Sequence, residues 1–437
     1  MSFDLPVLPD GWSYAPLETR CQQGSVTYGI VQPGTHVNDG KPIVRVNNFR
    51  DMRLDLTEVM RVAPEVEAKY RRTRLKGGEV LLTIVGSVGQ VAVVPIRLAG
   101  FNVARAVAVI DPLPDVGPDW IALCLRSPLS QHLLSSRANT TVQTTINLKD
   151  LRALPIPLPC ESERRGITSL IGALDDRITL LRETNATLEA IAQALFKSWF
   201  VDSDPVRAKM EGRAPEGMDE TTAALFPDGF EESALGLVPS GWLVRSLDDV
   251  ANYLNGLALQ KFPPTGCRDL PVIKIAQLRK GDTVGADTAS RTIKPQYIIQ
   301  NGDVLFSWSG SLEVEIWCGG EGALNQHLFK VTSAQYPKWF YYLWTRHHLE
   351  NFRQIAASKA TTMGHIQRAH LSAAKVVVPP APVLYMANAA LQPIIERMIE
   401  TALQAQTFAT LRDTLLPRLI SGQLRLPEAQ TLVEASV

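Results

Sequence analysis

The sequence contains nearly the same pattern twice. Leu8-Pro9-Asp10-Gly11-Trp12 returns as Val238-Pro239-Ser240-Gly241-Trp242, and Gly78-Glu79-Val80-Leu81 returns as Gly302-Asp303-Val304-Leu305. Further matches are Gly86-Ser87 with Gly310-Ser311, Trp120 with Trp339, residues 146–151 with 366–371, and Leu195-Phe196 with Leu415-Leu416. The offset between the copies falls from 230 at the first match to about 220 at the last, as small loop deletions would produce. A duplicated chain has pseudo-two-fold symmetry and suits a ligand with two halves, such as duplex DNA.

Composition restricts the class of protein. A length of 437 residues with 45% hydrophobic residues allows two to four domains with ordinary cores. No apolar run reaches about 18 residues, so no membrane span is expected. The start, Met1-Ser2-Phe3-Asp4, lacks the features of a secretory signal. The five cysteines contain no C-x-x-C pair, which argues against a disulfide framework or structural zinc and favours the reducing cytoplasm.

The charges are unevenly distributed although the net charge is zero. Residues 1–160 carry 17 basic and 14 acidic side chains, and residues 238–380 carry 15 and 10, whereas residues 161–237 carry 8 and 15. The positive excess therefore falls on the two copies of the repeat, as phosphate contact requires. Because the excess is mild, we expect any DNA affinity to depend on a partner.

Each copy of the repeat has a globular part followed by a helical part. Short β-branched runs predict buried strands at residues 80–85 and 103–110, and the segments 120–134 and 339–352 are predicted to be helical. A closing strand precedes the prolines at residues 154–159 and 376–380. The fold class predicted is α+β (mixed), with two pseudo-repeated α/β domains, each followed by a long helix.

The two helical parts carry a seam of residues that alternates by four and three positions. Asn185 is the one polar residue of the first seam, and Thr401 and Arg412 interrupt the second. The predicted seam residues are Ile167, Ile171, Leu174, Ile178, Leu181, Asn185, Leu188, Leu195, Leu391, Ile394, Met398, Phe408, Leu415 and Leu419. A 3.5-residue period favours an antiparallel coiled coil within the chain. The alternative is that each helix packs on its own domain.

These patterns predict six segments along the chain. They are a first domain at 1–160, a helical spacer at 161–201, a connector at 202–237, a second domain at 238–380, a second helical spacer at 381–421 and a tail at 422–437. The connector has no counterpart in the second copy, and its acidic residues and Pro227-Asp228-Gly229 predict an irregular segment.

The duplicated motifs and the two helices resemble one known family. Pro-x-Gly-Trp, Gly-[Asp/Glu]-Val-Leu followed by Gly-Ser, and the helix endings at residues 196–202 and 415–422 occur in the order found in the specificity subunit of type I restriction-modification systems. The resemblance covers the chain from about residue 8 to residue 426. It implies two target-recognition domains, each of which reads one half of an asymmetric bipartite DNA sequence.

The resemblance also implies partners. The helices of this family form the spacer between the half-sites and dock two methylation subunits, which use S-adenosylmethionine to methylate adenine. Restriction subunits that use ATP and Mg can join the complex in prokaryotic defence. The specificity subunit itself is implied to bind no cofactor and to catalyse no reaction.

The residues support a non-catalytic role. Pro263-Pro264 and Pro379-Pro380 do not fit the [Asn/Asp]-Pro-Pro-[Tyr/Phe] loop of an adenine methyltransferase, and no G-x-G-x-x-G follows a strand. No metal-ligand spacing or Ser/His/Asp set is found, so metal and catalytic residues are predicted to be absent. Two alternatives remain: a coiled-coil adaptor that binds only protein, and a self-contained methyltransferase or nuclease.

Three matched polar segments are candidates for DNA contact: the first is residues 45–50 and 274–279, the second residues 86–90 and 307–311, and the third residues 139–145 and 358–362. Arginine, lysine, asparagine and glutamine match phosphates and base edges. The candidates in the first copy are Arg45, Asn47, Asn48, Arg50, Ser87, Gln90, Thr141, Gln143 and Thr144, and those in the second are Lys274, Gln277, Arg279, Ser309, Ser311, Lys359, Thr361 and Thr362. The first segment alternates polar and apolar residues like a half-buried strand. Ordinary exposed polar residues and a tight hairpin are the alternatives.

The helix length predicts the spacing of the half-sites. A helix over residues 163–200 is about 55 Å long at ~1.5 Å per residue. That length corresponds to about one and a half turns of B-DNA at ~34–36 Å per turn.

Overall fold

The computed structural model describes residues 5–50, 52–137, 144–266, 268–358 and 364–435. The chain divides into two compact units, Met1–Asp176 with Thr407–Val437 (unit 1) and Arg177–Gln406 (unit 2). The first long helix, Glu161–Phe196, begins in unit 1 and ends in unit 2, and the second long helix, Ala381–Ile420, runs in the reverse order. Among the described residues, every helix is too short or too polar to cross a lipid bilayer.

Unit 1 contains eleven short strands among its described residues and a smaller number of helices. The strands are Ser13–Pro16, Thr27–Tyr28, Lys41–Val44, Phe49–Arg50, Arg53–Leu54, Met60–Val62, Val80–Thr83, Val91–Val93, Asn102–Val103, Val107–Ile110 and Pro155–Leu158. The α-helices besides the long ones are Pro64–Glu67, Pro118–Arg126, Pro128–Ser135, Leu148–Arg152 and Leu426–Glu434. The 3-10 helices are Leu17–Arg20, Val46–Asn48, Ala68–Thr73 and Ile96–Leu98.

Unit 2 has a similar set of elements and an additional hairpin. Its strands are Phe230–Ser233, Gly236–Pro239, Leu243–Ser246, Asn252–Asn255, Leu270–Ile273, Thr288–Ala289, Ile298–Ile299, Val304–Ser307, Val314–Ile316, Gly322–Leu324, Leu328–Thr332 and Lys375–Val378. Its α-helices besides the long ones are Asp204–Met210, Glu220–Ala224, Leu247–Val250, Ile275–Lys280, Lys338–His347, Leu349–Ser358 and Arg368–Ala373. The 3-10 helices are Leu259–Lys261 and Pro295–Tyr297, and a π-helical turn spans Lys197–Val201.

The sheet topology repeats between the units. Each has a four-stranded antiparallel sheet, in the order Thr27–Tyr28, Val107–Ile110, Val80–Thr83, Val91–Val93 in unit 1 and Asn252–Asn255, Leu328–Thr332, Val304–Ser307, Val314–Ile316 in unit 2. Each also has a second sheet with one parallel pair, in which Ile43 lies opposite Asn102 and Val272 opposite Ala323. The predicted duplication and the mixed fold class are therefore confirmed.

Alternating apolar residues build a core on each face of the four-stranded sheet. In unit 1, Val80 and Leu82 pack with Trp120 on one face, and Leu81 packs with Phe49 on the other. Side chains of a strand point alternately to opposite faces, so a strand buried on both faces reads as one continuous apolar run. This explains why the run at residues 80–85 is recognisable in the sequence.

Two of the predicted secondary-structure elements are each divided into two shorter elements in the structure. The run at residues 103–110 forms two strands, because the chain passes from the three-stranded sheet to the four-stranded sheet after Val103. The predicted helix at residues 120–134 is interrupted at Pro128, which lacks an N–H group, and Ser127 caps the second helix by accepting a hydrogen bond from Ser130 N at 3.3 Å. The corresponding helix of unit 2 is interrupted at His348.

The long helices pair as the predicted antiparallel coiled coil. In unit 1 the early residue Ile167 of the first helix shares a core with the late residue Leu419 of the second. In unit 2 the late residue Ala192 shares a core with the early residue Leu391. The predicted seam residues up to Leu181 are buried, and those after it on the first helix are half-buried.

The two interruptions of the second seam have polar partners. In unit 2 the Thr401 hydroxyl donates to Asn185 Oδ1 at 2.8 Å, so the two polar seam residues meet. In unit 1 the Arg412 guanidinium lies 3.0 Å from Asp175. A paired polar group inside a coiled coil fixes the register of the helices.

The connector is more ordered than predicted, and the tail is helical in part. Residues 202–237 contain two short helices and the hairpin that begins at Phe230, and Phe226 is buried against Trp242. The tail contains the helix Leu426–Glu434, which packs on unit 1 through Ala429, while Arg425 pairs with Glu163 at 3.0 Å. Both segments therefore belong to the cores of their units.

Candidate nucleic-acid interface

The second candidate segment is hydrogen-bonded to the third in unit 1 and, in unit 2, to Gly364, which follows the third. In unit 1, Gly86 N donates to Thr144 O at 3.1 Å, and Thr83 Oγ1 donates to Ser87 O at 2.5 Å. In unit 2, Gly310 N donates to Gly364 O at 2.9 Å, and the Ser307 hydroxyl donates to Ser311 O at 2.6 Å. The same backbone contacts therefore hold the polar turn beside the third segment in both copies.

The candidates of the second and third segments differ in exposure. Ser87, Gln90 and Ser311 are exposed and Thr144 is half-buried, whereas Ser309 is buried with its hydroxyl oxygen 2.9 Å from His327 Nδ1. The candidates Thr141, Gln143, Lys359, Thr361 and Thr362 lie outside the described residues.

The first candidate segment is largely not the predicted strand. Residues Val46–Asn48 form a 3-10 helix, and Ile275–Lys280 form an α-helix. The reason is local capping: Asn48 Oδ1 accepts a hydrogen bond from Arg45 N at 2.9 Å, and Gln277 Oε1 accepts one from Lys274 N at 3.3 Å. The prediction of a half-buried strand was therefore wrong in the second copy and correct in the first only for Phe49–Arg50.

Because of this capping, two of the candidate residues for DNA contact are buried. Asn48 is buried and donates to the carbonyl oxygens of Asp55 and Glu58, at 3.0 and 2.9 Å, so its amide has a structural role. Gln277 is buried as well. In this conformation neither amide is available to a base edge.

Most of the other candidates in the first segment are exposed. Asn47, Arg50, Lys274 and Arg279 are exposed, and Arg45 is half-buried with an Nε atom that has no partner among the described residues. Arg50 pairs with Asp55 at 3.2 Å and Lys274 pairs with Asp287.

A surface cavity in each unit brings the candidate segments together. The cavity of unit 1 has a volume of about 350 Å³, and that of unit 2 about 520 Å³. The first is lined by Phe49, Met52, Gly89, Gln90, Val91, Arg126, Gln131, Arg412, Asp413 and Leu416. The second is lined by Arg279, Gly310, Ser311, Leu312, Glu313, Arg353, Ala356, Ala357 and Gly364. Residues in or beside all three candidate segments line the cavity of unit 2.

Two arginines converge on one carboxylate at each cavity. In unit 1, Arg126 and Arg412 lie 2.8 and 3.0 Å from Asp175. In unit 2, Arg353 and Arg279 lie 2.9 and 3.8 Å from Glu313. A second carboxylate lies near each group, because Asp413 is 2.7 Å from Arg412 and Glu350 is 3.6 Å from Arg353, so the charges of each group balance.

Sequence reasoning missed some of these arginines. Arg126 and Arg346 are 220 residues apart, so the repeat pairs them, and both contact the first long helix inside their own units. Arg346 lies 2.7 Å from Glu189. The match between Arg126 and Arg346 in the repeat was the signal that could have identified Arg126. Arg353 gave no such signal, because the equivalent position in the first copy holds Leu133.

Replacing Asp175 with alanine is expected to lower the free energy of unfolding of unit 1 by about 2–4 kcal/mol. The reason is that Arg126 and Arg412 are mostly buried and would lose their common partner. Hydrogen exchange of unit 1, followed by mass spectrometry in denaturant, measures the change. The control is Asp176→Ala: Asp176 is 82% exposed and pairs with Arg53, so the loss should stay within about 0.5 kcal/mol. Equal effects of the two substitutions would contradict the buried role of Asp175.

Within the described residues, no cluster of three or more histidine, cysteine, aspartate or glutamate side chains is arranged to hold a metal ion. The predicted absence of a metal site stays a prediction for the chain as a whole.

Known proteins share this duplicated architecture. A family model described as the type I restriction modification DNA specificity domain matches the chain twice, over residues 32–190 and 239–397. The type I restriction enzyme EcoBI specificity subunit of Escherichia coli is 32% identical over 170 residues, which are 38% of this chain and 36% of that protein. The HindI specificity subunit of Haemophilus influenzae is 25% identical over 411 residues, with 80% of this chain and 87% of that protein covered.

The fold is similar to a solved structure as well. The crystal structure of the type I restriction-modification system S subunit from M. genitalium matches with a TM-score of 0.52 and 12% identity, over 95% of this chain and 98% of that chain. The two family matches fall on the two halves of the sequence repeat and together span most of the chain. The chain therefore belongs to the family of type I restriction-modification specificity subunits.

Proposed function

We propose that each unit of this specificity subunit binds one half of an asymmetric, bipartite duplex DNA target. The observation that carries the proposal is a surface cavity in each unit, where exposed polar side chains of the duplicated scaffold lie beside two arginines; the arginines themselves stand at different positions of the repeat. Arginines position a protein on phosphates, while polar side chains at the groove read base edges.

The long helices are proposed to dock two methylation subunits. Leu180 and Ile191 of the first long helix are 53% and 44% exposed, so apolar surface remains beside the helix pair in unit 2. Exposed apolar side chains on a helix supply the contact area that protein interfaces use. The mild positive excess of the recognition domains also supports DNA binding that depends on a partner.

We assign no catalytic step and no bound cofactor to this chain. In the proposed complex, S-adenosylmethionine binds to the methylation subunits, and restriction subunits, where they join, bind ATP and Mg. The chain then determines where the methyl group is added. Its contribution is the position of the target adenine relative to the catalytic subunit.

The test is to co-express the chain with the adenine methylation subunit of its own system and to map methylated adenines by long-read sequencing. We expect a two-part motif with an unspecified gap. The control is the methylation subunit expressed alone, which should leave those sites unmethylated. Methylation that is absent, or that is the same without the chain, would contradict the proposal and favour a protein-binding adaptor.

A further inference from the structure

At one edge of the four-stranded sheet, the two units have the same frame of backbone hydrogen bonds. Ile84 N donates to Ala106 O at 2.8 Å, and Trp308 N donates to His327 O at 3.3 Å. The strand register then pairs Thr83 with Val107 in unit 1 and Ser307 with Leu328 in unit 2. These contacts define equivalent positions at one edge of each sheet.

A glycine marks a second equivalent position in each frame. A Cβ atom at Gly29 would lie 1.9 Å from Val103 O, and one at Gly256 would lie 2.2 Å from Asn325 O. Only glycine allows so close an approach of two backbones. The residues immediately before these glycines, Tyr28 and Asn255, are therefore equivalent and are fixed at the same edge.

The side chains at these equivalent positions differ between the two units, although the backbone hydrogen bonds are the same. We name the set the edge residues: Tyr28, Ile84, Arg105 and Ala106 in unit 1, and Asn255, Trp308, Gln326 and His327 in unit 2. Every equivalent pair differs in chemistry, whereas buried neighbours such as Leu81 and Leu305 are the same. Two domains that recognise different DNA sequences require different side chains on the same backbone.

The edge residues of unit 2 hold one another in place. The Trp308 indole N–H donates to Asn255 Oδ1 at 2.9 Å, and the rings of Trp308 and His327 lie 6.0 Å apart. Gln326 Nε2 is 3.3 Å from His327 Nε2. These contacts pre-organise the amide groups of Asn255 and Gln326.

The corresponding edge of unit 1 presents a single cation. The Arg105 side chain is exposed, and in the part of the chain that the structure describes it has no carboxylate or hydrogen-bond partner. Tyr28, on the strand paired with Val107–Ile110, is 36% exposed. An uncommitted guanidinium is free to engage an acceptor pair on a ligand.

We infer that three polar edge residues read bases of the two half-sites: Arg105 a guanine, and Asn255 with Gln326 an adenine. The inference rests on the proposed function. Arginine pairs with the O6 and N7 acceptors of guanine, and an amide pairs with N6 and N7 of adenine. The half-site bound by unit 1 therefore contains a guanine that Arg105 selects, and the half-site bound by unit 2 contains an adenine.

Methylation mapping of variants of the full chain, co-expressed with the methylation subunit, tests the inference. Arg105→Ala should relax one position of one half-site by roughly ten-fold or more and leave the other half-site unchanged. Asn255→Ala with Gln326→Ala should relax only the other half-site. The matched controls are Arg97→Ala and Gln335→Ala, which change exposed residues of the same types elsewhere in units 1 and 2.

The outcomes separate the inference from the proposed function. If wild-type methylation depends on the chain but Arg105→Ala keeps the wild-type motif as Arg97→Ala does, the inference is wrong and the proposed function stands. If the wild-type chain directs no methylation, both fail. Arg105→Gln guards against misfolding, since unit 2 holds glutamine at the equivalent position. A wild-type motif for that variant would also overturn the inference.

Discussion

Replacing Phe200 with alanine is expected to lower the free energy of unfolding of unit 2 by about 3–5 kcal/mol. Phe200 is 1% exposed and follows the first long helix in its π-helical turn. Its ring contacts several aromatic rings, with centroids 5.6 Å from Trp339 and 5.9 Å from Trp242. The truncation would remove these contacts and leave a cavity where the helix, the connector and the second domain meet.

Chemical denaturation followed by tryptophan fluorescence measures this change, because six of the eight tryptophans belong to unit 2. The control is Tyr385→Ala, which removes an aromatic ring that is 81% exposed on the second long helix. Its effect should stay within about 0.5 kcal/mol. A loss at Phe200 no larger than the loss at Tyr385 would contradict the assignment of Phe200 to the core.

The sequence predicts the large features of the fold because they depend on repeated and periodic patterns. The continuous apolar run that begins at Val80 identifies a central strand, and the duplication predicts its counterpart at Val304. A seam with a 3.5-residue period identifies the helix pair. These patterns do not depend on knowledge of distant contacts.

The features that the sequence did not predict depend on the hydrogen bonds and ion pairs of individual polar side chains. Asn48 and Gln277 look like exposed amides in an alternating pattern, but their side chains cap short helices. Arg412 looks like a fault in the seam until Asp175 is placed beside it. The capping bonds join residues only three positions apart, in a segment whose alternating pattern fits a strand equally well. Asp175 and Arg412, in contrast, lie far apart along the chain, and a single sequence contains no signal for their pairing.

The candidate site was predictable only where both copies of the repeat retain the same residues. The repeat identifies the turns at Ser87 and Ser311, because both copies retain them. It does not identify Arg353, which enters the cavity of unit 2 from a helix. Equivalent positions with unlike side chains, such as Arg105 and Gln326, become recognisable only when the strand register aligns them.

Inserting one heptad into both long helices is expected to lengthen the unspecified gap of the methylated motif by about three base pairs. Each helix has one part in each compact unit, so seven residues add about 10 Å at ~1.5 Å per residue. B-DNA rises ~3.4 Å per base pair. The two insertion points are the Asp176–Arg177 bond and the Gln406–Thr407 bond, where each long helix passes from one compact unit to the other.

A whole heptad keeps the seam in register, so the half-site sequences should remain unchanged while the gap alone changes. The control is the same heptad in the first long helix only, which leaves its residues without partners and is expected to abolish methylation. A double insertion that methylates the original motif with its original gap would show that the helices do not set the spacing. Half-sites that change with the gap would show instead that the helices help to read the DNA sequence.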